Sequence, residues 1–538
     1  MKNKMRKFFA VALAGTMLMS VVGCGESGKG ESTETSETNT SVVSQDTETE
    51  QSTEKTYDEK VTFSITALEG EEAFGPEIDF IKEKFNIDFE LVNLAESEIS
   101  QKVRIWMATD SMPDVMMCGM WNGEYQEYLE WVEQGLVREL PDLSQWENIS
   151  ALVDEYEIDD YFKVDGKRYC WVACKNVDDP NIKKLTDGGY GFLYRRDWAE
   201  ELGLANDDDV YTWEEFEEMA YAFVENNSSG LPTGTIGLGS LVAPHGLGIM
   251  MYSPYWETYV KQNDEYVWAM DLPETLEGIK WSNKLYTDGI IWKDHNVVKG
   301  ADVENKFQNG EMGIIWHGIV DASMGRILNN MQQLDPEFDP SNDVRHMKVY
   351  GPDGKPWGQF PALFEYTTLF SPNLSDAEME RILDIFDWYL SDEGRDYYVY
   401  GMEGYNYTKS ADGVYTKIED TKRGNPFVTK NMIGGMKAKD TEKSRIETIG
   451  IDAVNLTNSW NDFMNSNDTS NLKRTDLYLQ FFDGENYVTT GTCLPEGKER
   501  INQLIYSADP DDVESLWNEW KDSVRPDIEK VLEEINAQ

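Results

Sequence analysis

The chain has 538 residues and carries 48 basic against 100 acidic side chains, a formal net charge of −52 at neutral pH. Hydrophobic residues make up 40% and aromatics 12%, which is too apolar for a disordered acidic chain, because disorder combines high charge with low hydrophobicity. A surface this negative repels nucleic-acid phosphates and anionic headgroups, and four His leave little room for a histidine-rich metal site. The length implies two or more domain-sized cores.

In chain order, Met1 to Lys7 holds Lys2, Lys4, Arg6 and Lys7 and no acid. An apolar run from Phe8 to Val22 follows. A positive head and a short apolar run read as a secretory signal, too short to be a comfortable membrane span. The run ends in Val21-Val22-Gly23-Cys24, which resembles the bacterial lipobox. That resemblance implies a signal peptide over 1–23 and an acylated Cys24 as the first mature residue. The plainer alternative is an ordinary signal with a chance Cys. Cleavage leaves 44 basic against 100 acidic residues, a net charge of −56. Each acyl methylene buried in the bilayer contributes about 0.8 kcal/mol, so the anchor works by lipid while charge holds the folded part off the membrane. Residues 24–57 read as a self-repelling tether; Gly25 to Thr56 is rich in Ser, Thr and Glu, with Val42 and Val43 its apolar residues. No later stretch has 18 consecutive apolar residues.

Val61-Thr62-Phe63-Ser64-Ile65-Thr66 alternates as a strand, and Pro76 to Phe85 carries Ile78, Ile81 and Phe85 on one helical face. Ile87 to Val92 alternates again, a helix is expected over Ser97 to Ala108, and Pro113-Asp114-Val115-Met116-Met117 reads as a buried strand. Strands alternating with helices predict an α/β fold with a largely parallel sheet, whose ligand sits beyond the strands' carboxyl ends. Here that place is Cys118 to Asn122, which includes Trp121. Cys170 and Cys174 lie in the strand-like CWVAC; with Cys118 and Cys493 they are read as buried free thiols, a disulfide staying open.

Ala108-Thr109-Asp110-Ser111-Met112-Pro113-Asp114-Val115 resembles a signature of the extracellular solute-binding proteins of ABC sugar importers, of the maltose-binding type. Further matches come in order. They include Gly135-Leu136, Leu140 to Leu143, Asp165-Gly166-Lys167-Arg168-Tyr169 and Tyr194-Arg195-Arg196-Asp197-Trp198. Thr212 to Phe216, Leu285 to Gly289, Phe307 to Gly313, Asp387 to Gly394 and Tyr400 to Gly404 continue the series. The ordered series spans most of residues 60–525. The resemblance implies a two-lobed periplasmic-binding-protein-like fold of type II with a hinge between lobes. It places lobe one at 58–185 plus 358–393 and lobe two at 186–357 plus 394–538. The Gly/Pro-rich stretch Lys355 to Phe364 suits a crossing.

A sugar ring has C–H faces that aromatic planes cover and a hydroxyl belt that carboxylates and amides bond. Trp131, Trp198, Trp281, Trp388 and Trp517 sit in helical patterns and read as packing. Loop-like positions give the ligand-binding candidates. They are Trp121 after the Pro-Asp-Val strand, Tyr255 and Trp256 after Pro254, and Trp316 and His317 ending the strand Gly313 to Ile315. Trp357 in the crossing, and Glu403, Tyr405 and Tyr407 in the Gly-Met-Glu-Gly loop, complete them. Each also has a packing reading. A related branch, the alginate-binding proteins, carries a calcium loop where this chain has Glu225 to Pro232 with a single Glu, so no metal is expected. No cofactor and no catalytic signature is found. The expected role is a lipid-anchored, monomeric, extracytoplasmic subunit that binds a neutral oligosaccharide and delivers it to ABC permease subunits. The alternatives are a secreted carbohydrate-active hydrolase or lyase with cleft carboxylates, or a binding protein for another solute such as a peptide or a sugar alcohol.

Overall fold

The computed structural model describes residues 55–68, 75–120, 124–186, 188–225, 236–240, 251–253, 259–295, 297, 300–358, 363–418, 432–434, 442–467, 486 and 495–538. The first strands are β1 (Val61–Leu68), β2 (Ile87–Leu94), β3 (Val115–Cys118), the hairpin β4–β5 (Lys163–Val164, Lys167–Arg168) and β6 (Cys170–Cys174). Next come β7 (Gly189–Arg195), β8 (Val210–Tyr211), β9 (Ile236–Ser240), the hairpin β10–β11 (Tyr259–Gln262, Glu265–Trp268), β12 (Met312–Ile319) and β13 (Val344–Val349). β14 (Phe364–Phe370) and the hairpin β15–β16 (Tyr407–Lys409, Tyr415–Lys417) complete the described strands.

Two five-stranded sheets result, ordered β2-β1-β3-β14-β6 and β8-β13-β7-β12-β9. The expected parallel arrangement holds for β2-β1-β3, whereas β14 runs antiparallel to β3 and β6. The reason is connectivity. β14 arrives from the second sheet and enters the first at the end where β1 to β3 leave it. The second sheet is mixed too: β7 is antiparallel to β12 and β13, with β9 and β8 parallel to their neighbours at the edges.

Local chemistry explains the first sheet. Gly75 at φ 89 admits the chain to the Pro76–Lys84 helix, with proline at the first position, acids in the first turn and Lys82 and Lys84 in the last. Asp114 of the Pro-Asp-Val segment is structural. Its Oδ2 accepts from the Ser64 amide and hydroxyl at 2.8 Å each, and Ser64 Oγ accepts from the Asp114 amide at 2.9 Å. This fixes β1 against β3, where Ile65 opposes Val115. The Asp376–Leu390 helix opens with a Ser375/Glu378 capping box and then binds three neighbours. Arg381 donates to the carbonyls of Phe85 (2.5 Å), Asn86 (3.1 Å) and Glu59 (3.3 Å). Asp384 accepts from Tyr57 Oη and Trp146 Nε1, and Asp387 accepts the amides of Asn148 and Ile149 at the start of the Glu147–Glu155 helix.

The tryptophans read as packing are packed. Trp131, Trp198, Trp281 and Trp517 are buried, and Trp388 lies half-buried among Phe80, Phe85 and Tyr397. A separate cluster joins Trp268 of β11 to Trp517 and Trp520 of the C-terminal Val513–Ile535 helix, with Arg525 bidentate on Asp271.

The crossings between the sheets are held by the Ile451–Asn465 helix. Asn465 accepts from the Leu185 amide (3.0 Å) and donates to its carbonyl (2.7 Å), while Asn461 accepts from the Gly188 amide (3.0 Å). Trp460 of the same helix lies on two bare backbones: a Cβ at Gly191 or at Gly358 would come within 2.8 Å of its indole. The expected boundary at 393 is not where the chain leaves the first core. It falls within the Asp392–Tyr400 helix, whose Tyr397 is buried in the first core and donates to the Glu77 carbonyl at 2.5 Å. Met432 and Ile433 also lie in that core, their carbonyls accepting from Thr368 Oγ1 and Trp171 Nε1 at 2.8 Å each.

Gly188 has φ +73, and a Cβ there would sit 1.3 Å from the Ile319 carbonyl oxygen. Gly188→Ala is therefore expected to destabilise the protein by about 3 kcal/mol. Urea unfolding measures this, and a midpoint equal to that of the wild type would refute the close crossing.

Candidate ligand-binding cleft

The crossings define the site. β1, β2 and β3 end at Leu68, Leu94 and Cys118, and β14 begins beside them at Phe364. On the other side β7 begins at Gly189, β12 ends at Ile319 and β13 ends at Val349. The described parts of the segments that join the sheets, 175–186 with 188 and 350–358, lie between these two sets of strand ends. On the first side Tyr366 Oη donates to Glu96 Oε1 at 2.8 Å, tying β14 to the turn that follows β2.

An aromatic stack occupies the second side. Along β7, Tyr190, Phe192 and Tyr194 alternate onto one face. Trp316 lies 5.2 Å from Phe192 and 4.4 Å from Trp357, ring centre to ring centre, and Phe192 stacks on Trp357 at 5.4 Å. Tyr190 stacks over Trp316 at 6.2 Å and 29°. Trp316 is fully buried and Trp357 nearly so, whereas Tyr190 is 37% exposed.

The sequence places a strand end at Ile315, but β12 continues to Ile319. Trp316 pairs with Phe192 on one side and Ser240 on the other, and His317 pairs with Gly191. His317 is buried, and both ring nitrogens are engaged: Nδ1 with the Gly318 carbonyl (2.7 Å), Nε2 with Glu304 Oε2 (3.0 Å). Glu304 also accepts from Arg326, with Nη2 to Oε2 at 2.9 Å, and from Gln308 Nε2 at 2.6 Å. Burial pushes the Glu304 carboxyl up, but the hydrogen bonds and charges of Arg326 and His317 outweigh it and hold it at about 2.

In the Gly-Met-Glu-Gly loop, Glu403 is exposed and Tyr405 is 42% exposed. Tyr407 is buried in the β15–β16 hairpin beside Tyr400 and Tyr415. Burial pushes its hydroxyl well above the ordinary tyrosine range. Trp121, Tyr255, Trp256, Cys24 and Cys493 lie outside the described residues, as does the 226–235 segment. Cys118, Cys170 and Cys174 are buried free thiols, and burial pushes Cys174 up to about 12. A concavity of about 680 Å³ lies elsewhere, along the outer face of the Trp213–Glu225 helix, lined by Glu214, Glu217, Glu218 and Glu225 with Tyr221. That face points away from the sheet, and its four carboxylates suit solvent. Among the described residues no group of three or more His, Cys, Asp or Glu is arranged to hold a metal ion. No described helix is long and apolar enough to cross a membrane.

Two sheets joined by crossings at facing strand ends make the two-lobed α/β binding fold of type II, with its hinge at the crossings. The solved structures agree. An alginate-binding protein, AlgQ2, without calcium ion, superposes with a TM-score of 0.63 at 14% identity, over 89% of this chain and 98% of that one. The Streptococcus pneumoniae ABC-transporter substrate-binding protein FusA, in complex with kestose, gives 0.62 at 12% identity over the same shares. The chain belongs to the bacterial extracellular solute-binding proteins, whose family model matches residues 69–395. It is similar to the lipoprotein LipO of Bacillus subtilis (strain 168), at 24% identity over 440 residues, covering 79% of this chain and 78% of LipO.

Glu304 has an acid signature. Its folded value lies below the ordinary 4.5, so its contribution is complete above that pH and is lost as pH falls toward 2. The contribution is about 2 to 3 kcal/mol. Glu304→Gln is expected to lower stability at pH 7 by a similar amount and to flatten the decline in that window. Urea midpoints followed against pH would show it, and an unchanged slope would refute the assignment.

Proposed function

We propose that this protein is the lipid-anchored extracellular substrate-binding subunit of an ABC importer for a neutral oligosaccharide. The observation that carries the reading is the cleft itself: facing strand ends of a hinged, two-lobed solute-binding fold, with an aromatic stack on one side. Aromatic planes match the C–H faces of sugar rings, and the enclosed cleft supplies affinity when the lobes close. FusA, of the same fold, is known in complex with kestose, and AlgQ2 binds alginate. The net charge of −52 favours an uncharged sugar here, because a strongly acidic protein repels a carboxylated chain. The protein's part is capture and delivery, with no chemistry performed on the ligand. Cys24 carries the lipid, and ABC permease subunits receive the cargo from a monomer. Similarity to a lipoprotein supports the anchor.

Calorimetric titration against neutral and uronate oligosaccharides, followed by product analysis, tests the reading. Saturable binding of a neutral sugar recovered intact is expected. Released fragments would mean a hydrolase or lyase instead, and a peptide hit without any sugar hit would change the ligand class.

Two narrower outcomes follow from the assigned positions. Trp121→Ala and Trp256→Ala should each weaken sugar binding by about 1 kcal/mol or somewhat more, the contribution of a stacked ring. Unchanged affinity in both would remove these residues from the site. Cys24→Ser should move the protein from the membrane fraction to the medium, and continued membrane retention would contradict lipidation at that residue.

A further inference from the structure

The β15–β16 hairpin stands where the lobes touch away from the 175–186 and 350–358 crossings. It belongs with the first lobe. Tyr415 stacks on Tyr400, the last residue of the Asp392–Tyr400 helix, at 4.2 Å and 14°. Asp396 of that helix accepts from Tyr415 Oη at 2.6 Å and from Lys409 Nζ at 2.7 Å. The tip is closed by its own bonds: the Gly413 amide reaches the Ser410 carbonyl and the Ser410 amide the Val414 carbonyl, at 2.9 Å each. The Glu442–Ile449 helix belongs with the second lobe. Its Arg445 donates to Asp321 at 2.7 Å, at the start of the Asp321–Leu334 helix. Its Ile449 packs on the second core, where a Cβ at Gly325 would come within 2.7 Å of it. The chain passes from Ile433 of the first core to this helix, so hairpin and helix meet beside a third passage between the lobes. The described bonds across their seam are few. Ser444 Oγ accepts from the Tyr415 amide at 3.3 Å and donates to the Gly413 carbonyl at 3.2 Å. Lys443 Nζ faces Asp412 at 3.2 Å, with both side chains exposed.

Each half is fixed to its own lobe by a stacked ring, a paired carboxylate or a packed apolar side chain. The described seam rests on one hydroxyl and one ion pair that solvent screens, and such a pair contributes little. The hairpin tip keeps its shape without Ser444. When two close-packed bodies change their angle, the change concentrates at the weakest joint between them. We infer that the seam between the β15–β16 hairpin and the Glu442–Ile449 helix is a latch, which holds the lobes at one angle when closed and parts when they swing. It acts on the equilibrium between lobe angles. Apparent affinity scales with the fraction of chains at the binding-competent angle, so the latch tunes capture from outside the cleft. Ser444 and Lys443 are positioning residues in this sense. The latch itself rests on the fold, and its effect on capture rests on the oligosaccharide reading above.

The test uses the full mature chain, first without sugar. Hydrogen exchange reads the Tyr415 amide, which Ser444 holds across the seam. It should exchange at least about tenfold faster than the amides inside the Ile451–Asn465 helix, because the seam opens while the cores stay folded. Asp412→Cys is then joined to Lys443→Cys through a short bismaleimide. Cys493→Ser accompanies them, and Cys118, Cys170 and Cys174 are buried from the reagent. The link should slow Tyr415 exchange at least about tenfold. Exchange no faster than that of the helix, or unmoved by the link, would show a fixed joint and overturn the latch. A panel of neutral tri- to pentasaccharides is titrated next, and the tightest binder is carried into small-angle X-ray scattering. It should shrink the radius of gyration of the unlinked chain and leave that of the linked chain unchanged. Equal shrinkage in both would overturn the latch while leaving the oligosaccharide reading in place. Binding of no panel member by the unlinked chain would overturn that reading, and the exchange rates would still decide the latch.

Discussion

The close packing of backbone on backbone at the crossing governs the molecule. At Gly188 the chain passes over the Ile319 carbonyl with no room for a side chain. Asn461 and Asn465 hold the same segment from one side, and Trp460 covers Gly191 and Gly358. Two separately packed sheets would otherwise be linked by free strands. Because a protein interior is close-packed, a contact made in three places moves as a unit rather than yielding locally. The crossing therefore sets where β7 begins. One helix, Ile451–Asn465, couples both crossings to the second core, since Ala453 and Leu456 on it are packed there.

The charge divides into two unequal parts. A few acids are built into the frame: Asp114 between β1 and β3, Asp384 and Asp387 under the first sheet's helices, and Glu304 under the second. Each accepts several hydrogen bonds, which is what makes a buried or half-buried carboxylate tolerable. Many of the other acids among the described residues lie on solvated faces, as along the outer side of the Trp213–Glu225 helix. There they add repulsion and solubility rather than structure. The net charge thus constrains what the protein meets in solution, while a few individual carboxylates constrain how it folds.

Reading along the chain was reliable where the signal is local. The strands expected from Val61 and from Ile87, and the helix from Pro76, lie where alternation and helical spacing put them. The tryptophans at helical spacing are packed, for the same reason. The Pro-Asp-Val motif was visible, but the role of its Asp was not, because the partner, Ser64, is 50 residues away. Trp316 was read as a ligand-binding candidate, yet it is fully buried, and the exposed ring of its stack is Tyr190. Alternation of Tyr190, Phe192 and Tyr194 straight after Gly188-Gly189 was the available signal.

Periodicity, end signals and composition therefore determined the α/β class, the order of the first strands and helices and the acidity of the surface, while the two-lobed form came from the resemblance. They act through the preferences of neighbouring residues, so a single chain carries them in full. Tertiary structure alone decided that β14 runs antiparallel, that β12 continues through Trp316 and His317, and that the Asp392–Tyr400 helix belongs with the first core. It also decided which aromatic of the stack stays exposed. Those outcomes depend on partners far apart in sequence and on which backbone a ring can lie against. In this protein that backbone is glycine, whose missing side chain is felt only once the strands have met.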